Sequence, residues 1–319
     1  MLLADVDERH VILPATDPKY GDDLRRLLAL TRPDFLHVQN DAEVAAVSSL
    51  RHALDQAGVK LYLPAAKTVE ICLNKYETYR RWHAAGVRVP RTILIREPAD
   101  LHQAFHELGD TLWIRAVTGA AGAGALPTNN YELAKCWIDR HRGWGRFTAA
   151  QLLTKESAAW LSLWFEGELV VAQSRRRRAW NFGDRTLSGV TGITGVAETM
   201  ADPVVDRVAL DAITAIDPRP HGIFGVDITY DQQGWPNPTE INIGRFFTTV
   251  YFFTKAGLNL PEIYCNIALE DVFPVLERKI NPLPEGLVWI RGMDVEPVLS
   301  TTSELALVAQ RERIEALAS

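Results

Sequence analysis

The chain is expected to be an α/β protein built as α+β lobes, and three observations predict this. Strand-like and helix-like segments alternate over residues 11–66. Apolar runs flank tight Gly- or Pro-bearing turns at Gly167 and at 231–238, the signature of antiparallel hairpins. A chain of 319 residues with 47% hydrophobic content is long enough for two or three lobes around a substantial core. The net charge of −6 offers no field for a nucleic-acid backbone. Three cysteines, Cys72, Cys136 and Cys265, lie far apart without CxxC spacing, which fits a reducing, cytoplasmic compartment. The Met1 segment carries Asp5, Asp7 and Glu8 where a signal peptide needs basic and then apolar residues. The most apolar run, 158–165, is too short to span a bilayer, so no membrane partner is expected.

In chain order, VILPA (11–15) is the first strand-like run and YGDDLRRLLAL (20–30) has helical apolar spacing. PDFLHVQ (33–39) reads as a strand, 41–58 as one long helix ending at Gly58, and VKLYLP (59–64) as a further strand. That alternation argues for a parallel sheet with crossover helices. Nothing before Val11 supplies the opening strand and Gly-rich turn of a dinucleotide-type half-domain, so this lobe is either small or lacks its first unit. Residues 68–86 are helical, with Asn74 capping a second helix and Glu77 completing a capping-box pattern. A strand (91–95), a helix (99–109), a strand (111–117), the loop TGAAGAGALP (118–127), a helix (130–141) and a strand (147–153) follow. Two strand runs meet at Gly167, a helix is expected over 202–216 and another around 260–269, and 286–299 reads as one strand.

The chemistry concentrates in IFGVDITYDQQGWPNPTEINI (223–243). Alternate side chains of a strand share a face, so Glu240 and Asn242 point the same way, and antiparallel pairing brings Asp227 opposite them, beside Arg245. Two carboxylates and an amide oxygen, without His or Cys, suit Mg2+, with Mn2+ as an alternative; a solvated hairpin with ordinary surface acids is the other reading. The loop TGAAGAGA (118–125) places Gly119, Gly122 and Gly124 where backbone N–H groups can approach phosphate oxygens, although a plain connecting turn has the same composition. Arg115 stands at the root of this loop, and Lys75 in the first turn of a helix is a second candidate phosphate ligand. In the run Arg175–Arg178, Arg175 and Arg177 face one way and Arg176 and Arg178 the other. One pair can grip a substrate anion or the run can be a charged edge strand, and Arg178 is the preferred site residue. The stretch 183–195 is a substrate loop or a surface loop, and no His spacing suggests zinc.

In the order of these parts the chain resembles the ATP-grasp superfamily, nearest to its carbamoyl-phosphate-synthase-like and biotin-carboxylase-like members. The matching segments are NKYETYRRWHAAGVRVPRT (74–92), LWIRAVTGAAGAGAL (112–126), GIFGVDITYDQQGWPNPTEINIGRF (222–246) and TTVYFFTKAGLNLPEI (248–263). The resemblance implies an ATP-grasp fold with a truncated Rossmann-like N-terminal lobe over 1–67, an ATP-grasp domain over 68–275 with a lid at about 92–152, and a C-terminal extension over 276–319 that packs on the core. It implies Lys75 and Arg115 as phosphate ligands, with Arg115 where a lysine is usual. By the same resemblance, Gln151, Leu152 and Leu153 meet the adenine at the hinge, and Asp227, Glu240 and Asn242 ligate Mg2+. Arg245 then stands at the transferred phosphoryl group, three residues after Asn242 where many members have two. Arg291 and Asp294 either touch substrate or pack on the core. The implied activity is an ATP- and Mg2+-dependent carboxylate–amine or carboxylate–thiol ligase working through an acylphosphate, with small-molecule acid and amine partners and a homodimer as a common assembly. A nucleotide-binding subunit without turnover and a carbamoyl- or carboxyl-phosphate-forming subunit are the alternatives.

Overall fold

The protein is described by a computed structural model over residues 6–119, 122, 124–189, 193–292 and 298–307. Its first lobe is helical: α1 (Tyr20–Thr31), α2 (Asp41–Ser49) and α3 (Arg51–Gln56). Asn40 caps α2 by accepting from the Glu43 N–H. The single helix expected over 41–58 breaks at Leu50, which closes α2 and opens α3. The expected parallel sheet shrinks to one bridge, Phe35 to Lys60, and Val11, at 96% exposure, joins no strand among the described residues. The apolar side chains of these runs, Val38, Val59 and Leu63, are instead buried against helices and the large sheet, which leaves the backbone free of a ladder.

Two helices, α4 (Ala66–Leu73) and α5 (Lys75–Ala84), lead out of this lobe. The Asn74 side chain accepts from the N–H groups of Tyr76 and Glu77, so the cap fixes the start of α5 and with it the origin of the Lys75 side chain. The capping box is only half made, because Glu77 turns outward to Arg80 and Arg81.

A small lobe follows, with β1 (Thr92–Ile95), α6 (Pro98–Glu107), β2 (Leu112–Ala116), β3 (Leu126–Thr128), α7 (Tyr131–Arg140) and β4 (Phe147–Gln151). Its strands form an antiparallel sheet in the order β1-β4-β2-β3, on which Leu101, Ala104, Ala134 and Ile138 of the two helices bury against Ile95, Ile114 and Ala149. The large lobe holds β5 (Ser157–Phe165), β6 (Glu168–Trp180), β7 (Thr194–Met200), α8 (Pro203–Ile216), β8 (Gly222–Tyr230), β9 (Pro236–Ile243), α9 (Val250–Lys255), α10 (Leu260–Glu270), β10 (Leu287–Ile290) and β11 (Val298–Thr301). Its seven strands run in the order β11-β10-β7-β6-β5-β8-β9, each antiparallel to its neighbours. The strand expected over 286–299 is thus two. β7 begins within the last two residues of the loop expected over 183–195, and β6 and β10 pair with it on either side.

Both faces of the large sheet are covered, and the period-2 alternation of β5 shows why. Ala158 and Trp160 bury against α8 and the first lobe, while Leu161 and Leu163 bury against Phe247, Phe252 and Phe253 on the other side. Gly225 of β8 permits that second packing. A Cβ there would lie 2.5 Å from a ring carbon of Phe247, so the ring occupies the space a side chain would need. Gly225→Ala is therefore expected to cost roughly 1–3 kcal/mol by overpacking, read as a lower urea midpoint at unchanged slope.

Candidate functional site

A cleft of about 800 Å³ opens along the face of the large sheet, between it, the first lobe and the small lobe. The floor is a ladder. Glu240 of β9 pairs with Asp227 of β8, Asp227 with Ala159 of β5, and Ala159 with Arg175 of β6, so these side chains share one face. Ala159 is the small member of this row, and it leaves room for Arg177 to reach across β5 and donate to Asp227 Oδ1 at 2.8 Å. Asn242, on the same face as Glu240, donates to Asp227 Oδ2 at 3.0 Å.

The register slips between Asp227 and Ile228: Asp227 pairs with Glu240 but Ile228 pairs with Pro238, so Thr239 is an extra residue on β9. This bulge releases the Thr239 carbonyl from the ladder, and Arg115 Nη2 of β2 donates to it at 2.9 Å. The same guanidinium lies 3.8 Å from Glu240, and Lys75 Nζ lies 3.4 Å from it. Lys75 also donates to the Gly119 carbonyl at 2.5 Å. Gly119, Gly122 and Gly124 all have positive φ, a backbone that side-chain-bearing residues rarely adopt, which accounts for the glycines of this loop. Gly119 and Gly122 line the cleft, whereas Gly124 packs against Phe147 and its carbonyl accepts from Trp137. Ala120, Ala121 and Ala123 lie outside the described residues. Arg245 donates to Asn242 Oδ1 and to Asp41 Oδ1, each at 2.5 Å.

Charges in this row shift one another. Burial pushes the Asp227 carboxyl up, but the charge and hydrogen bond of Arg177, with help from Asn242 and Arg175, outweigh it and hold the group below the usual carboxylate range. Burial lowers Arg115, against the opposing pull of Glu240 and Asp227. Burial and then the Arg177 charge lower Arg175 to about 9, with Asp227 opposing; the guanidinium is still a cation at neutral pH.

The structure thus brings Lys75, Arg115, Gly119, Gly122, Asp227, Glu240, Asn242 and Arg245 together. Two of the expected groups are not among the residues that line this cleft. Gln151 ends β4, with its side-chain oxygen accepting from the Arg91 N–H at 3.0 Å, and Leu152 and Leu153 follow it in the connection to β5. Arg178 points away from the cleft, 46% exposed and paired with Glu198; strand alternation puts Arg175 and Arg177 on the cleft side instead. Arg291 donates to the carbonyl of Thr248, a cleft-lining residue, at 3.3 Å, and Asp294 lies outside the described residues. Gln39, Asn40 and Asp41 of the first lobe, with Trp180 and Phe247, also line the cleft; the cap pattern before α2 marks Asn40 in sequence but gives no sign of a site.

Among the described residues no group of three His, Cys, Asp or Glu side chains forms a metal cage. The groups gathered here are two carboxylates and one amide, whose nitrogen faces Asp227 and whose oxygen faces Arg245; carboxylate and amide oxygens are the hard donors that Mg2+ prefers. No helix among the described residues is long and apolar enough to cross a membrane.

No family model matches the chain, and no curated protein matches it in sequence. Its fold does have solved counterparts. One is the biotin carboxylase domain dimer of Hydrogenobacter thermophilus 2-oxoglutarate carboxylase, in complex with MgADP, ADP and bicarbonate (TM-score 0.69, 13% identity, 88% of this chain and 63% of that one). Another is Campylobacter jejuni biotin carboxylase in a β,γ-ATP complex (TM-score 0.67, 14% identity, 85% and 61%). A third is the L-amino acid ligase of Bacillus licheniformis (TM-score 0.64, 16% identity, 87% and 66%). These are ATP-grasp enzymes, and the chain has the ATP-grasp fold. It spans between three fifths and two thirds of their length.

The Asp227–Arg177 pair makes one prediction. A carboxyl held below its ordinary value near 3.8 contributes stability that is complete above that value and is lost as pH falls through the lower folded one. Both partners are largely buried, at 7% and 21% exposure, so Arg177→Met is expected to cost on the order of 3 kcal/mol at pH 7. It should also start acid unfolding at a higher pH, as followed by circular dichroism.

Proposed function

We propose that the chain is an ATP- and Mg2+-dependent ligase that activates a carboxylate as an acylphosphate and joins it to an amine or thiol. The observation that carries this reading is the Asp227–Glu240 rung, with Asn242 beside it and Lys75 and Arg115 converging on Glu240 from two other elements. Two carboxylates facing each other on adjacent strands repel, so such a rung is expected where bound cations are the purpose. The ATP-grasp fold and its solved counterparts bound to MgADP and to an ATP complex support the nucleotide assignment. Asp227, Glu240 and the Asn242 amide oxygen are the residues that would hold Mg2+, which when bound draws charge from the phosphate oxygens.

The remaining work falls to the chain. A carboxylate oxygen attacking the γ-phosphorus approaches one anion with another, and the bond to the β,γ-bridging oxygen breaks as ADP leaves. Lys75 and Arg115 spread the charge of the triphosphate, and Arg245 stands where negative charge builds on the transferred group. Gly119 and Gly122 line the cleft beside Lys75, where they help to keep water from the acylphosphate. The amine then attacks the acyl carbon, phosphate departs, and the ammonium proton passes to solvent. A homodimer is the proposed assembly, after the Hydrogenobacter domain dimer.

The test is ADP release from MgATP across a panel of small carboxylates and amino acids paired with amines. Wild type should turn over at least one pair, and Glu240→Gln or Asp227→Asn should lower the rate by roughly 100-fold or more. MgATP binding without ADP release across the panel would replace this reading with that of a nucleotide-binding subunit.

A further inference from the structure

Beyond the rung, the cleft continues to a second cationic end that the proposed phosphoryl chemistry does not use. Its walls are Arg175, Arg177, Trp180, Thr194 and Phe247. Arg177 is fully engaged there: it donates to Asp227, Ser157 and Thr194 and lies over the Trp180 ring at 4.1 Å. Arg175 is not. It is 2% exposed and makes no salt bridge among the described residues, and its Nε and Nη1 are shut off from solvent without a hydrogen-bond partner. The Phe247 ring lies 5.2 Å from its guanidinium carbon. That ring is seated against Gly225, so the backbone of β8 sets the height of the platform under the arginine.

A buried guanidinium without an acid or an acceptor costs several kcal/mol, and an apolar side chain would fill the same volume without that cost. Such a group persists where a ligand supplies what the protein withholds. Arg177 of the same strand crosses β5 to reach Asp227, whereas the Arg175 guanidinium is held over Phe247. At the usual strand spacing, the Arg175 backbone lies about 10 Å from that of Asp227 and about 15 Å from that of Glu240, where Lys75 and Arg115 converge.

We propose that Arg175 anchors the anionic group of the second substrate, a carboxylate or a phosphate, at the β6 end of the cleft. This rests on the ligase reading for the word substrate, but the binding itself does not depend on turnover. Of the planar fork of the guanidinium, Nη2 is the nitrogen not closed off, and it can donate a charge-assisted hydrogen bond to either anion. Phe247 beneath it and Trp180 beside it leave the ligand's body an apolar wall. Arg175 is then a specificity-determining residue, and a neutral acceptor in its place would be bound poorly because the cation stays unpaired.

Calorimetric titration of the protein loaded with Mg2+ and a non-hydrolysable ATP analogue tests this, with malonate and inorganic phosphate as the two probes. Wild type is expected to bind one of them in the millimolar range, and the winner tells carboxylate from phosphate. Arg175→Met should weaken that probe by roughly tenfold or more, and Arg175→Lys, which keeps the charge but not the fork, by a smaller factor. Both variants should keep the nucleotide affinity of wild type, which also reports that they are folded; if Arg175→Met does not fold, the Arg175→Lys comparison decides. The proposal is overturned if neither probe binds wild type by about 50 mM, a Kd too weak to reflect an anchored ion pair. Equal affinity in wild type and the variants, or a loss of nucleotide binding instead, overturns it as well. Should wild type fail to bind the nucleotide analogue, the ligase reading fails, and the same probes against nucleotide-free protein still decide the anion site.

Discussion

Asp227 and Glu240 face each other across adjacent strands, and the electrostatic repulsion between them organises the whole cleft. Each carboxylate is neutralised by a cation from a different part of the chain. Arg177 comes from β6 across the small Ala159, Lys75 from the first turn of α5, and Arg115 from the sheet of the small lobe. One rung of one hairpin therefore ties the small lobe, the connecting helix and the far side of the large sheet to a common centre. Removing either acid would leave buried cations unpaired, so the charges are interdependent rather than additive.

The bulge at Thr239 gives this arrangement its geometry. A regular ladder would commit the Thr239 carbonyl to β8; the extra residue frees it to receive Arg115. Lys75 is tied at both ends, its N–H donating to the Val117 carbonyl and its ammonium to the Gly119 carbonyl. Gly119 is thus tied to the lysine that also faces Glu240.

The cleft also divides by chemistry along its length. At the β9 end Lys75, Arg115 and Arg245 are matched in number by Asp227, Glu240 and Asp41 and every cation has a partner, which suits a ligand that arrives with its own metal. At the β6 end Arg175 stands unpaired over Phe247, which in turn rests on Gly225. The two ends are thus coupled through packing: Gly225 is the β8 partner of Asn242, so the residue that seats Phe247 is also the one opposite the amide beside Asp227.

Local patterns carried much of this in advance. The alternation of 223–243 and the Gly/Pro turn at its centre were enough to read a hairpin with Asp227, Glu240 and Asn242 on one face, because strand periodicity and turn chemistry are properties of short segments. The glycines of 118–125 and the cap at Asn74 were legible for the same reason. Other features depend on what a segment meets. Residues 33–39 look like a strand, yet helices and the large sheet bury Val38 and only the Phe35–Lys60 bridge forms, while Val11 of the run 11–15 stays exposed. The expected loop over 183–195 runs into a strand at 194–200, which two neighbouring strands pair on either side. The bulge at Thr239 is a property of pairing between two chains of residues, invisible in either alone. The arginine run shows the division most clearly. Sequence by itself determined that Arg175 and Arg177 share a face opposite to Arg176 and Arg178, since alternation is built into the strand. Only the tertiary structure decided which face turns toward the cleft, because that choice is made by what packs on each side of the sheet.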